Sequence, residues 1–131
     1  MNFLSHFYID KDEHLPYFLL GVALPDLVRN ADKNLRIREH HTEKTWNDEE
    51  LKQINEGVKR HLEVDMVFHS SEFFKTNTEY ILSLLKNEKI ENIKRFQFAL
   101  AHILLEMMLD RMLMKDHPAL CSEFYTTMDA V

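Results

Sequence analysis

The sequence predicts an all-α, single-domain helical bundle, and three observations carry that expectation. Glycine and proline number only two and three in 131 residues, against seven methionines and an abundance of Leu, Lys and Glu. That composition favours helices and is poor in the turns a sheet requires. Apolar residues recur at three- and four-residue steps in each longer segment, the period of an amphipathic helix. With 45% hydrophobic and 29% charged residues, residues 1–131 read as one globular domain with a single core, without an inter-domain linker or any repeat beyond a pair of ligand rows.

The first predicted helix is capped by Asp10 or Asp12 and runs through Leu15, Phe18, Leu19 and Val22, with Pro16 in its first turn. Gly21 and Pro25 are expected to interrupt it, and Pro25-Asp26-Leu27-Val28 to restart a short helix with Asp26 near its N-terminus. Residues Asn30 to Asn47 are polar and aperiodic and read as a long loop with room for one helical turn. Asn47 or Asp48 caps the next helix, with Glu49 and Glu50 in its first turn, and its stripe Leu51, Ile54, Val58, Leu62, Met66 extends to about His69 or Phe74. Another helix begins at Thr76 or Asn77 and ends near Asn87. From Phe98 to Leu109 every residue is apolar except His102 and Glu106, which predicts a helix from about Ile90 to Lys115 that is buried on nearly all sides. Pro118 opens a last amphipathic segment carrying Leu120, Phe124 and Met128. Asp129-Ala130-Val131 has no helix stop, so this reading leaves room for a C-terminal extension.

Two of these helices carry rows of metal-binding side chains. His61, Asp65 and His69 lie four residues apart, and so do His102, Glu106 and Asp110; that step keeps each trio on one helix face. Val58, Leu62 and Met66 form an apolar stripe beside the first row, and Gly57 leaves space one turn before His61. Carboxylates in an apolar helix need partners, because burying one alone costs several kcal/mol. Imidazole and carboxylate ligands together suit a divalent ion such as Zn, Fe, Mn or Ni. Either two metals bind, or some of the six groups orient ligands and move protons. In the structural alternative, Glu106 and Asp110 pair with Arg111, Arg95 or Lys94 in a buried ionic network. Met107, Met108, Met112 and Met114 are read as core filler, His14 and His117 as surface residues, and His41 as a candidate cap for the pocket.

A net charge of −6 argues against general nucleic-acid binding. Arg29, Lys33, Arg36 and Arg38 form one basic patch, which suits a solvated loop, a phosphate or an acidic partner. The single Cys121 rules out a disulfide framework and a thiolate zinc cluster. With no secretory signal and no apolar run long enough to span a membrane, the expected location is cytoplasmic.

Four ordered landmarks resemble those of the acyl-carrier-protein phosphodiesterase family, itself similar to the helical metal-dependent phosphohydrolases called HD domains. They are Met1-Asn2-Phe3-Leu4-Ser5-His6, Gly21-Val22-Ala23-Leu24-Pro25-Asp26-Leu27-Val28, His61-Leu62-Glu63-Val64-Asp65 and Glu106-Met107-Met108-Leu109-Asp110. The resemblance implies an HD-domain-like bundle and a divalent metal. It also implies hydrolysis of the phosphodiester joining phosphopantetheine to an acyl carrier protein. His6, Asp26, His61, Asp65 and Asp110 match the family's recurrent His and Asp positions. The chain departs at His69, where the family tends to have Asp, and at Arg111, where it has His. The expected function is a metal-dependent phosphodiesterase-like hydrolase. Its metal ligands are drawn from His6, His61, Asp65, His69 and His102, and Glu106, Asp110 and Asp26 serve as ligand or acid–base groups. Arg29, Arg36 or Arg38 would receive phosphate. The alternative is a non-catalytic helical binding module with a buried polar network.

Overall fold

A computed structural model describes residues 1–87 and 96–131. Among these residues it contains six α-helices, two single-turn 3₁₀ helices and no strand. The helices are α1 (Phe3–Asp10), α2 (Pro16–Ala31), α3 (Glu49–Ser70), α4 (Glu72–Asn87), α5 (Gln97–Asp116) and α6 (Leu120–Met128). None is long and apolar enough to cross a membrane.

α1 is a helix that periodicity does not reveal, since eight residues offer barely two turns. The Asn2 side chain accepts the Phe3 N–H at its start, and Leu4 and Phe7 bury one face beside Ser5 and His6. Asp10 closes α1 and is held by Arg60 of α3 through contacts of 3.1 and 3.2 Å. It does not cap α2, whose N-cap is Leu15 with Pro16 at its first position.

α2 runs without a break to Ala31, through both Gly21 and Pro25. A proline in a helix interior removes one hydrogen bond and crowds the preceding turn. Here that cost is offset by burial, because Leu19, Val22, Ala23 and Pro25 are all enclosed. Gly21 does not end the helix because it serves packing. A Cβ on Gly21 would overlap the Ile54 backbone of α3, and one on Gly57 would overlap the Phe18 carbonyl oxygen of α2. Both glycines of the chain therefore lie at one helix crossing where two backbones touch. The α2–α3 interface is the most extensive in the fold.

The segment after α2 is irregular apart from a 3₁₀ turn at Glu39–Thr42, as expected. α3 begins as its acidic first turn predicts, with the Asp48 carboxylate accepting the Leu51 N–H at 2.9 Å. Its apolar stripe is enclosed at Val58 and open at Met66. α4 starts at Glu72, earlier than its apolar pattern suggested, because the Ser71 hydroxyl accepts the Phe74 N–H at 3.1 Å. The expected start of the following helix near Ile90, with Lys94 and Arg95, lies outside the described residues.

The main apolar cluster joins α1, α2 and α6 through Leu4, Phe7, Leu19, Ala23, Leu120 and Phe124. α6 accordingly packs by the face its spacing predicts. α5 does not follow the expectation of a helix enclosed on all sides. Only Ala101, Leu105 and Asp110 are buried along it, while Ile103, Met107, Met108 and Met112 are more than half exposed and Met114 is 44% exposed. These methionines are not core filler. α5 packs chiefly on α4, with lesser contacts to α1 and α6, which leaves an apolar outer face.

Candidate metal centre

Four helices bring the polar residues together. α1 contributes Ser5 and His6, α2 contributes Asp26 and the Val22 carbonyl, α3 contributes His61, Asp65 and His69, and α5 contributes His102, Glu106 and Asp110. The two rows face one another, but their members sort into two trios that differ from the rows. His6, His61 and Asp65 form one, and His69, His102 and Glu106 form the other, with the ligand atoms of each within 4.8 Å of one another.

The first trio is the more enclosed. His6 is 1% exposed and His61 3%, and their rings stack with centroids 3.8 Å apart. His6 Nε2 lies 3.1 Å from Asp65 Oδ1, and His61 Nε2 lies 4.0 Å from Asp65 Oδ2. The glycine crossing explains where His61 points. One turn after Gly57, its ring meets α2 just past Gly21, and Nδ1 donates to the Val22 carbonyl at 2.8 Å. Pro25 has no N–H for the Gly21 carbonyl, which loosens this turn of α2 and opens its carbonyls to outside donors. Hydrogen bonding at Nδ1 directs the Nε2 lone pair toward Asp65, the usual support for a metal-binding imidazole.

Electrostatics suit the same role. Burial, with the neighbouring His6 charge adding to it, pushes the His61 pKa down to about 4, so this imidazole is neutral at physiological pH. Burial opposes ionisation of Asp65, yet hydrogen bonds from His6 and the N-terminal amine outweigh it and hold the carboxyl well below the usual range. A neutral imidazole and an ionised carboxylate are the states a metal needs. The N-terminal amine of Met1 lies between the trios, bonded to Asp65 and 3.3 Å from Glu106 Oε1.

Asp26 and Asp110 flank this trio in different states. Burial, reinforced by the charges of Asp65, Glu106 and Asp110 and opposed by the N-terminal amine, raises the Asp26 pKa to about 7. Asp110 accepts both the backbone N–H and the hydroxyl of Ser5; burial raises its pKa, and the Ser5 hydrogen bonds oppose the rise. Asp26 Oδ2 and His6 Nδ1 are buried without a hydrogen-bond partner, and both belong to this site. Unpaired buried polar atoms are uncommon in a folded protein, and each calls for an explanation such as a catalytic role, an ordered water or a bound ion.

The second trio is half-buried, with His69, His102 and Glu106 side chains 31%, 32% and 20% exposed. His69 Nε2 is 2.9 Å from His102 Nε2 and 3.3 Å from Glu106 Oε1, and His102 Nε2 is 2.7 Å from the same oxygen. Buried Phe74 presents itself edge-on to both imidazoles, at 4.9 Å from each. Burial opposes the Glu106 charge, but hydrogen bonding from His69, the N-terminal amine and His102 bring its pKa down to about 2.

Other expected participants stand elsewhere. His41 is exposed, and its Nδ1 accepts the Arg38 N–H within its own 3₁₀ turn, so it caps that turn and not the pocket. Arg29, Lys33, Arg36 and Arg38 are exposed, and among the described residues no hydrogen bond or ion pair joins them to either trio. Arg111 is exposed and Asp110 is held by Ser5, so these two form no buried ionic network. His14 and His117 are exposed as expected, the latter against Tyr8. Sequence reasoning missed Ser5, the Val22 carbonyl and Phe74. Ser5 and Val22 left a trace, as members of the first and second landmarks. A shallow, mainly apolar groove lined by Met1, Ile9, Arg60, Val64, Phe68 and Phe73 opens beside the centre.

No protein-family model matches this chain, and neither curated proteins nor solved structures yield a significant match.

Proposed function

We propose that this protein is a cytoplasmic, metal-dependent phosphodiesterase-like hydrolase of HD-like helical architecture. The observation that carries the reading is the convergence of His6, His61 and Asp65 from two helices, with His61 neutral and Asp65 ionised. The resemblance of the surrounding landmarks to acyl-carrier-protein phosphodiesterases supports the same reaction class. It makes the phosphopantetheine linkage of an acyl carrier protein the first substrate to test. The apolar groove beside Met1 suits a substrate with an extended, weakly polar arm.

His6, His61 and Asp65 would hold a divalent ion. When bound, such an ion supplies Lewis acidity toward a phosphoryl oxygen and raises the acidity of water to a pKa of about 7. The protein's own groups supply positioning and proton transfer. The Val22 carbonyl fixes the His61 ring, and Ser5 fixes Asp110. Asp26, with a pKa of about 7, can both accept and return a proton near neutral pH, the property wanted in a general acid–base group.

The test is hydrolysis of bis(p-nitrophenyl) phosphate and of phosphopantetheinylated acyl carrier protein by the purified chain, with and without added Mn²⁺ or Zn²⁺. Metal-dependent turnover that His61→Ala abolishes and Asp26→Asn lowers at least about 100-fold, the scale of general acid–base catalysis, is the expected result. Metal-loaded, folded protein that cleaves no phosphodiester rejects the reading. It would favour the binding module, which draws support from the Ser5–Asp110 and Arg60–Asp10 bonds between helices.

A further inference from the structure

The trio His69, His102 and Glu106 poses a hydrogen-bonding problem with a chemical solution. His69 Nε2, His102 Nε2 and Glu106 Oε1 form a triangle with edges of 2.9, 3.3 and 2.7 Å. Each edge needs one hydrogen. Each imidazole nitrogen carries at most one, and an ionised carboxylate carries none. Two hydrogens cannot serve three edges with straight bonds. If both nitrogens are protonated, two N–H groups face each other across 2.9 Å; if only one is, a lone pair faces another acceptor. A cation at the centre satisfies all three donor atoms at once.

We infer that His69, His102 and Glu106 form a second divalent-metal site of the zinc class, separate from the ion held by His6, His61 and Asp65. Two imidazoles and one carboxylate, with the fourth position open to solvent, make a recognised zinc ligand set. The half-burial of all three side chains leaves that fourth position accessible. Phe74 fixes both rings from the α4 side, and His102 and Glu106 share one helix face at a four-residue step. Preorganisation of this kind reduces the ordering cost of binding. Glu106 already attracts a cation, having the N-terminal amine within 3.3 Å.

The site also does mechanical work. α5 packs on α4, α1 and α6, and His69 with His102 and Glu106 supplies the described side-chain hydrogen bonding between α3 and α5. An ion there clamps α5 to α3. This inference does not require that the first site be hydrolytic.

The experiment is metal stoichiometry by mass spectrometry on the full chain, stripped with chelator, reloaded with Zn²⁺ and freed of excess, with hydrogen exchange of α5 in both states. Wild type is expected to hold two ions per chain, and His102→Gln and Glu106→Gln one each. His61→Gln also holds one, and combining it with His102→Gln leaves none. Zinc should slow α5 exchange in wild type and in His61→Gln but not in His102→Gln. Glu106→Gln, which keeps shape, decides the matter if His102→Gln does not fold. Unchanged stoichiometry in both α5 variants overturns the inference, as does wild type that binds no ion or a single ion lost equally in His61→Gln and His102→Gln. Two ions without phosphodiesterase activity would refute the hydrolase and leave this site standing.

Discussion

Asp26 shows how one residue's surroundings decide its chemistry. A carboxyl near the first turn of a short helix would be ionised and hydrated, whereas Asp26 lies inside a continuous α2 with Oδ2 buried and unpaired. Its pKa of about 7 compares with about 3.9 in an unfolded chain. Between these values the folded state keeps a proton that the unfolded state has released. Folding stability attributable to Asp26 therefore falls as pH rises from about 4 to 7 and levels off above. In metal-free protein, urea unfolding from pH 4 to 8 should show this decline, and Asp26→Asn should flatten it. At pH 8 the variant should be more stable than wild type by about 1–3 kcal/mol, because the neutral amide leaves no charge to bury there. A variant curve parallel to wild type throughout would show that Asp26 does not carry the effect. Glu106 has the opposite sign, since its depressed pKa contributes stability that is lost only as pH falls toward about 2.

The α2–α3 crossing is the element on which the site depends. Gly21 and Gly57 let two backbones meet, and that contact places the His61 ring against the Val22 carbonyl. In an isolated helix, alanine in place of glycine would stabilise by roughly 1 kcal/mol. At Gly57 the sign reverses, because the new Cβ would meet the Phe18 carbonyl and the Val22 nitrogen, both rigid backbone. Gly57→Ala is expected to destabilise by about 3 kcal/mol or more, at the upper end of overpacking costs. It should also weaken metal binding at His61 more than at His69, which is about two turns further along α3. Thermal melting with zinc titration of the variant measures both. A Gly57→Ala protein as stable as wild type would contradict the close contact. Glycine spacing suggested room beside the His61 row, but not that a second helix fills that room.

For the molecule as a whole, metal is expected to stabilise the fold, because the ligand atoms converge only in the folded chain. Linkage gives about 2.7 kcal/mol for one site at a free concentration 100 times its dissociation constant. For a domain of this size that corresponds to a rise in Tm of roughly 10 °C. Differential scanning calorimetry with Zn²⁺ and with chelator should show the shift in wild type and a smaller one in His61→Gln. Identical transitions in zinc and chelator would argue that the polar groups form a self-sufficient core. The same scale exposes the departure at α5. Its sequence is that of a helix apolar on every side, yet its outer face of Ile103, Met107, Met108 and Met112 is open among the described residues.

Much of this architecture was already written locally. Helical class, the Asp48 cap, the span of α3 and the buried face of α6 follow from composition, capping chemistry and periodicity, which act over a few neighbouring residues. The four-residue steps likewise placed His61, Asp65 and His69, and His102 with Glu106, on shared faces. Tertiary structure decided which groups meet. It regrouped the rows into His6–His61–Asp65 and His69–His102–Glu106, turned Asp110 toward Ser5 and carried α2 through Pro25. It also added α1, a helix too short to announce itself by period. Partnership across helices depends on crossing geometry, here the contact between Gly21 and Gly57, and periodicity along one helix contains no term for the angle at which another arrives.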